Sequence, residues 1–181
     1  GLAALELSTG ELRACALTDT ASLLAELVRL DVREVLLPPS MGRFAELCAS
    51  ALPHAAVRTA SQPLEADEAR GVLDRVLGGT EAEGARAQVP GPGLLAAAQA
   101  LTYAQDSQPN VPVGVQRIVA YDPSAQLMLD EAAVANLELV RTLGGEKKGS
   151  LLHLIDATRT AIGARLLRRR LLAPLTEVSA I

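Results

Sequence analysis

Apolar residues recur along this chain at two spacings, and the places where one spacing gives way to the other mark the elements. Gly1 to Leu7 is apolar at most positions, Ser8-Thr9-Gly10 is a turn signal, and Glu11 to Leu17 alternates, which predicts a strand, a tight turn and a second strand. Leu23, Leu24, Leu27, Val28 and Leu30 then follow helical spacing behind Asp19 or Thr20, either of which suits a helix N-cap. Glu34 to Leu37 predicts a short buried strand closed by Pro38-Pro39, and Ser40 is expected to cap a helix with Met41, Phe44, Leu47, Cys48 and Ala51 on one face. Ala55 to Thr59 is another short strand, and Pro63 precedes a third helix through Leu77. Two strands followed by helix, strand, helix, strand, helix is the order of an α/β layer fold, with helices flanking a mixed sheet.

Residues 78–93 are rich in Gly, Pro and Ala without apolar periodicity, and predict a mobile loop. Leu94 to Gln105 predicts one more helix. Gln108-Pro109-Asn110-Val111-Pro112 cannot continue it, because each proline lacks an amide hydrogen and restricts its predecessor, so a domain boundary is expected there. Beyond it lie short extended pieces, Val115 to Ala120 and Leu127 to Leu129, and a helix capped by Asp130 that runs to about Val140. The loop Gly144 to Gly149 separates that helix from a short one capped by Ser150 and a longer one from Thr160 to Leu172, stopped by Pro174. No internal repeat is visible.

Composition supports a folded chain. Its 181 residues, 49% hydrophobic and 21% charged, fit two small domains with real cores. Aromatics make up only 2%, so the cores must be built from Leu, Val and Ala, and platforms for base stacking are scarce. Cys15 and Cys48 stand far apart in apolar runs without a CxxC pair, which reads as buried thiols and not as a metal or redox site. There is no 18-residue apolar run and no charged leader, so a cytoplasmic setting is the expectation and a membrane is not. The net charge of −4 argues against a free-standing nucleic-acid binder, but it is unevenly spread. Residues 1–140 hold 9 Lys and Arg against 18 Asp and Glu, whereas residues 141–181 hold 8 against 3.

Several strings are similar to one family in order and spacing. They are Leu7-Ser8-Thr9-Gly10-Glu11, Arg33-Glu34-Val35-Leu36-Leu37-Pro38, and Asn136-Leu137-Glu138-Leu139 followed by Gly149-Ser150-Leu151-Leu152. The longest come last: Asp156-Ala157-Thr158-Arg159-Thr160, then Gly163-Ala164-Arg165-Leu166-Leu167-Arg168-Arg169 and Pro174-Leu175. Together they resemble the bacterial MutS family of DNA mismatch repair proteins. The resemblance implies a ribonuclease-H-like connector domain over residues 1–107 and the beginning of a helical core, leading to the lever, over residues 108–181. It further implies a segment without catalytic, cofactor-binding or metal-binding residues, coupling mismatch recognition to ATP hydrolysis elsewhere in a longer parent. That parent would use ATP and Mg, form a homodimer, contact DNA and dock a MutL-type partner. Two departures stand out: the family's connector normally starts one strand earlier than Gly1, and Arg170 stands where the family often has Trp.

Gly144-Gly145-Glu146-Lys147-Lys148-Gly149-Ser150 approximates a phosphate loop, but that loop needs Lys after its last glycine and a strand before its first, so a solvated connection is expected. Phe44-Ala45-Glu46 repeats the family's mismatch-reading Phe-x-Glu string, yet Phe44 lies in helical register with Met41, Leu47 and Cys48, which predicts core packing. A metal-dependent nuclease of ribonuclease-H-like fold is the alternative enzyme reading; it needs converging carboxylates, for which Glu6, Glu11 and Asp19 are the candidates. His54 and His153 have no partner at ligand spacing. On a helical wheel Arg165, Arg168 and Arg169 share one arc opposite Leu166, Leu167 and Leu171, whereas Arg170 falls on the apolar arc and is expected to lay its stem along the leucines.

Overall fold

The computed structural model describes residues 1–60, 62–109, 113–125, 127, 129 and 131–176. The chain forms two compact units, Gly1–Tyr121 and Asp122–Ile181.

The first unit opens on a hairpin. Strand β1 (Leu2–Glu6) pairs antiparallel with β2 (Glu11–Cys15), with Leu2 opposite Cys15 and Leu5 opposite Leu12. The turn closes through the amide of Gly10 on the carbonyl of Glu6 at 2.9 Å, with Gly10 at φ +68°, the left-handed region that glycine enters without penalty. Helix α1 (Thr20–Leu30) starts where the Asp19 carboxylate accepts from the Ser22 amide at 2.7 Å. Strand β3 (Glu34–Leu37) leads through a 3-10 turn at Pro39–Met41 into α2 (Gly42–Ala51). That turn displaces the expected capping role of Ser40: Met41 occupies the N-cap, and no side chain bonds the helix start. Strand β4 (Ala56–Thr59) runs parallel to β3, and α3 (Ala66–Leu77) begins with a reciprocal capping box between Glu65 and Glu68.

Residues 78–93 are not a loop. Gly79–Gln88 forms helix α4, and Gly91–Ser107 forms α5. Alanine explains the difference, since it favours helix strongly but marks a buried face only weakly in a hydropathy pattern. Ala82 and Ala85 are both buried, and Arg86 donates to Asp74 of α3 at 2.8 Å. Gly93 lets α5 approach the sheet closely: a Cβ there would stand 2.9 Å from the Cys15 carbonyl oxygen.

The last strand of the unit, β5 (Ile118–Ala120), pairs parallel with β2, with Leu12 opposite Ile118 and Ala14 opposite Ala120. The unit is therefore mixed α/β as expected, but its strands make two sheets where one was expected: a mixed sheet in the order β1-β2-β5 and a parallel pair β3-β4. Each sheet has its own core. Leu12, Ala14 and Ile118 pack with Leu73 of α3, the alanines of α4 and Leu101 of α5. Cys15, on the opposite face of β2 from Ala14, joins Leu2, Leu27, Val35, Leu37, Phe44 and Cys48 in the second cluster. Fully buried leucines such as Leu12, Leu73 and Leu101 contribute roughly 1.5–3 kcal/mol each by transfer from water.

Among the described residues the second unit contains a 3-10 turn at Pro123–Ala125 and three α-helices: α6 (Glu131–Asn136), α7 (Leu151–Ile155) and α8 (Ala161–Leu172). Helix α6 ends before the expected Val140, because Glu138 turns into the left-handed region at φ +47°. The expected Asp130 cap, and Met128 within the expected extended piece, lie outside the described residues. Ser150 caps α7 as expected, accepting from the His153 amide at 3.2 Å, and Thr160, expected as the first residue of the longer helix, is instead its cap, accepting from the Gly163 amide at 3.1 Å. The ends of the unit are tied together: Leu127 donates to the Pro174 carbonyl at 2.8 Å, and Thr176 donates to that of Ala125 at 3.2 Å.

Candidate functional site

Among the described residues the one charged residue that is buried as a whole is Glu26 of α1, with 0% exposure. Leu23, Glu26, Leu27 and Leu30 occupy positions i, i+3, i+4 and i+7, so the apolar stripe that folds α1 onto the second cluster carries a carboxylate with it. Its charge is met from the same helix by Arg29, whose Nε donates to Oε2 at 2.8 Å and whose terminal nitrogen contacts Oε1. A third donor arrives from 95 residues away, the Tyr121 hydroxyl, which donates to Oε1 at 3.1 Å. The Arg13 guanidinium stands 5.5 Å from the centre of the Tyr121 ring. Burial drives the Tyr121 phenol far above its ordinary range, aided by the Glu26 charge and a hydrogen bond with the Cys15 thiol. For Arg29 burial acts against the charged form, but the Glu26 carboxylate outweighs it and the net shift is upward. This cluster was missed from the sequence, although a Glu inside the i, i+3, i+4, i+7 stripe with an Arg three residues on was a visible sign.

The candidates named from the sequence lie elsewhere. Phe44 is 5% exposed within the second cluster, with Glu46 turned outward on the same helix. Glu6 and Glu11 lie opposite each other across the hairpin, where Glu6 accepts from the Ser8 hydroxyl at 2.5 Å and Glu11 pairs with Arg13 at 3.2 Å, whereas Asp19 caps α1. Among the described residues no group of three or more His, Cys, Asp or Glu side chains is gathered as a metal would require. His54 and His153 are both exposed, on different units.

The Gly144–Gly149 loop closes on itself. Thr142 donates to the Glu146 carbonyl at 2.8 Å, Arg141 donates to that of Gly145 at 2.8 Å, and the Ser150 hydroxyl donates to that of Lys147 at 2.8 Å. These bonds fold the loop onto its own carbonyls, and the Ser150 hydroxyl is engaged within it. On α8, Arg165 is exposed, Arg168 and Arg169 are half-buried, and all three have interactions within the chain. Arg170 is exposed, and Leu172 is the one buried residue of α8.

Comparison with known proteins matches residues 1–114 to a family model described as MutS domain II and residues 132–181 to one described as MutS domain III. The "DNA mismatch repair protein MutS" of Sorangium cellulosum is 42% identical over 181 residues, all of this chain and 20% of that protein. The protein of the same name from Anaeromyxobacter sp. (strain Fw109-5) is 42% identical over 183 residues, again all of this chain and 20% of the relative. That of Desulfosudis oleivorans is 34% identical over 187 residues, covering 21% of its length. This chain therefore spans about a fifth of the length of the relatives it matches, within a region that the two domain models describe in sequence order. A model matched over more than half of its residues, and relatives matched from end to end of it, show that the chain belongs to the MutS family.

Proposed function

We propose that the chain is a non-catalytic portion of a DNA mismatch repair protein, a ribonuclease-H-like connector over residues 1–107 followed by the start of the helical core over residues 108–181. The observation that carries this reading is the succession of the domain II and domain III matches along one chain. In this reading the chain passes the state of the DNA-reading part of its parent to the ATPase part, and the parent supplies ATP, Mg, the homodimer and the DNA contacts. The exposed faces of the connector are available to a MutL-type partner. A cytoplasmic setting accords with it, and among the described residues no helix is long and apolar enough to cross a membrane.

The test is a chimera in which these 181 residues replace the matching stretch of the Sorangium protein. Restoration of a low mutation rate in a strain lacking its own MutS is expected; a stable chimera that leaves the rate at the null level overturns the proposal. The isolated chain is expected to bind duplex DNA weakly, to lose that binding between about 50 and 200 mM salt, and to favour mismatched duplex by less than about tenfold. Saturable ATP binding by the isolated chain would contradict the assignment of ATP to other parts of the parent.

A further inference from the structure

We propose that Tyr121, Glu26 and Arg29 form a clasp that locks β5 onto the first unit and fixes the point at which the polypeptide leaves it. Strand β5 is short, with three residues in register against β2, and by itself a strand of that length holds weakly. Pairing continues one residue further, where the Tyr121 amide donates to the Ala14 carbonyl at 3.2 Å. The side chain of the same residue then reaches the buried Glu26 carboxylate, so Tyr121 is held by backbone and side chain at once. The first unit ends at this residue. Asp122, the next residue, precedes Pro123, which restricts it to extended geometry, so the chain leaves the unit from a fixed residue.

The chemistry of the clasp suits positioning better than stability. A buried ion pair is commonly no more stabilising than an apolar replacement of the same volume, because desolvation offsets the attraction. What Glu26 provides that a leucine would not is a directional acceptor. Arg29, fixed on the same helix, holds that acceptor in place, and Tyr121 is the one member of the clasp that arrives from the strand leading out of the unit. The ring lies over the Arg13 guanidinium of β2, which restrains it from a second side. Tyr121 is thus a positioning residue for the exit of the chain.

Hydrogen exchange on the full chain, comparing wild type with Tyr121→Phe, tests this. The substitution keeps the ring and removes one donor, so the unit remains folded. A hydrogen bond to a charged acceptor is strong enough that the β5 and Tyr121 amides should exchange about tenfold faster or more, while those of β1 and α5 stay within about twofold of wild type. Trypsin cleavage after the exposed Arg117, immediately before β5, should rise by a similar factor, since it tracks the open population. Tyr103→Phe, which alters the other tyrosine of the unit, should leave both readouts at β5 unchanged. Unaltered exchange at β5 in Tyr121→Phe, or acceleration equal across the whole unit, overturns the clasp. The result is independent of the repair role, which the chimera tests separately.

Discussion

The hydroxyl of Tyr103, on α5, donates to the carboxylate of Glu34, on β3, at 2.6 Å, joining a helix of the first core to the sheet of the second. Arg58 of β4 donates to the same oxygen at 2.5 Å. The Tyr103 hydrogen bond, with Arg58 behind it, holds the Glu34 carboxyl below its usual range. The same bond raises the Tyr103 phenol. Because these groups are largely exposed, solvent screens them, and Tyr103→Phe is expected to cost only about 0.5 kcal/mol at pH 7. A carboxyl whose folded pKa is depressed contributes above its unfolded value, roughly 4.3, and loses that contribution as pH falls through the folded value. The gap between wild type and variant in urea denaturation should therefore close between about pH 4 and pH 2; a gap that persists in acid would mean that the ring, and not its hydroxyl, is responsible.

Gly10 is the hairpin residue least able to accept a side chain. Besides its positive φ, an added Cβ would stand 2.3 Å from the Gly114 carbonyl oxygen, a backbone atom that cannot rotate away. Gly10→Ala should therefore cost about 2 kcal/mol or more, from left-handed strain together with displacement of the segment before β5. Thermal unfolding measures this, and an unchanged midpoint would refute the close approach.

Arg170→Met should change stability by less than about 0.5 kcal/mol, since Arg170 is exposed and an exposed substitution away from caps and cores has little effect. A loss above about 2 kcal/mol in chemical denaturation would indicate a charge pair broken at one end.

Brief trypsin treatment should cut after Lys147 or Lys148, which are exposed in the Gly144–Gly149 turn, before it cuts after Arg86, which lies within α4 and is bonded to Asp74. Early cleavage at Arg86, read by mass spectrometry, would restore the mobile-loop reading of residues 78–93.

These tests follow the line between what the sequence made legible and what it hid. The hairpin, α1 to α3 and the caps at Asp19 and Ser150 were readable, because each rests on local periodicity or on one side chain bonding a nearby amide. The fate of β5 was not. Val115 to Ala120 read as an extended piece, but nothing local says that Ile118 will lie opposite Leu12, more than a hundred residues earlier. Helix α4 was hidden because its buried face is alanine, and the Glu26 cluster because Tyr121 meets it only in the folded chain. Phe44 was placed correctly in a core, since its register with Cys48 is a property of the helix alone.

Phe44, Tyr103 and Tyr121 are the only aromatic residues of the chain, and all three belong to the first unit. Tyrosine emission and near-ultraviolet circular dichroism will therefore report the first unit alone and remain blind to the helices beyond Asp122. With no tryptophan to compete, and with Tyr103→Phe leaving a single tyrosine, the quantum yield of Tyr121 beside the Glu26 carboxylate is a built-in optical gauge of whether β5 is seated, readable without a label.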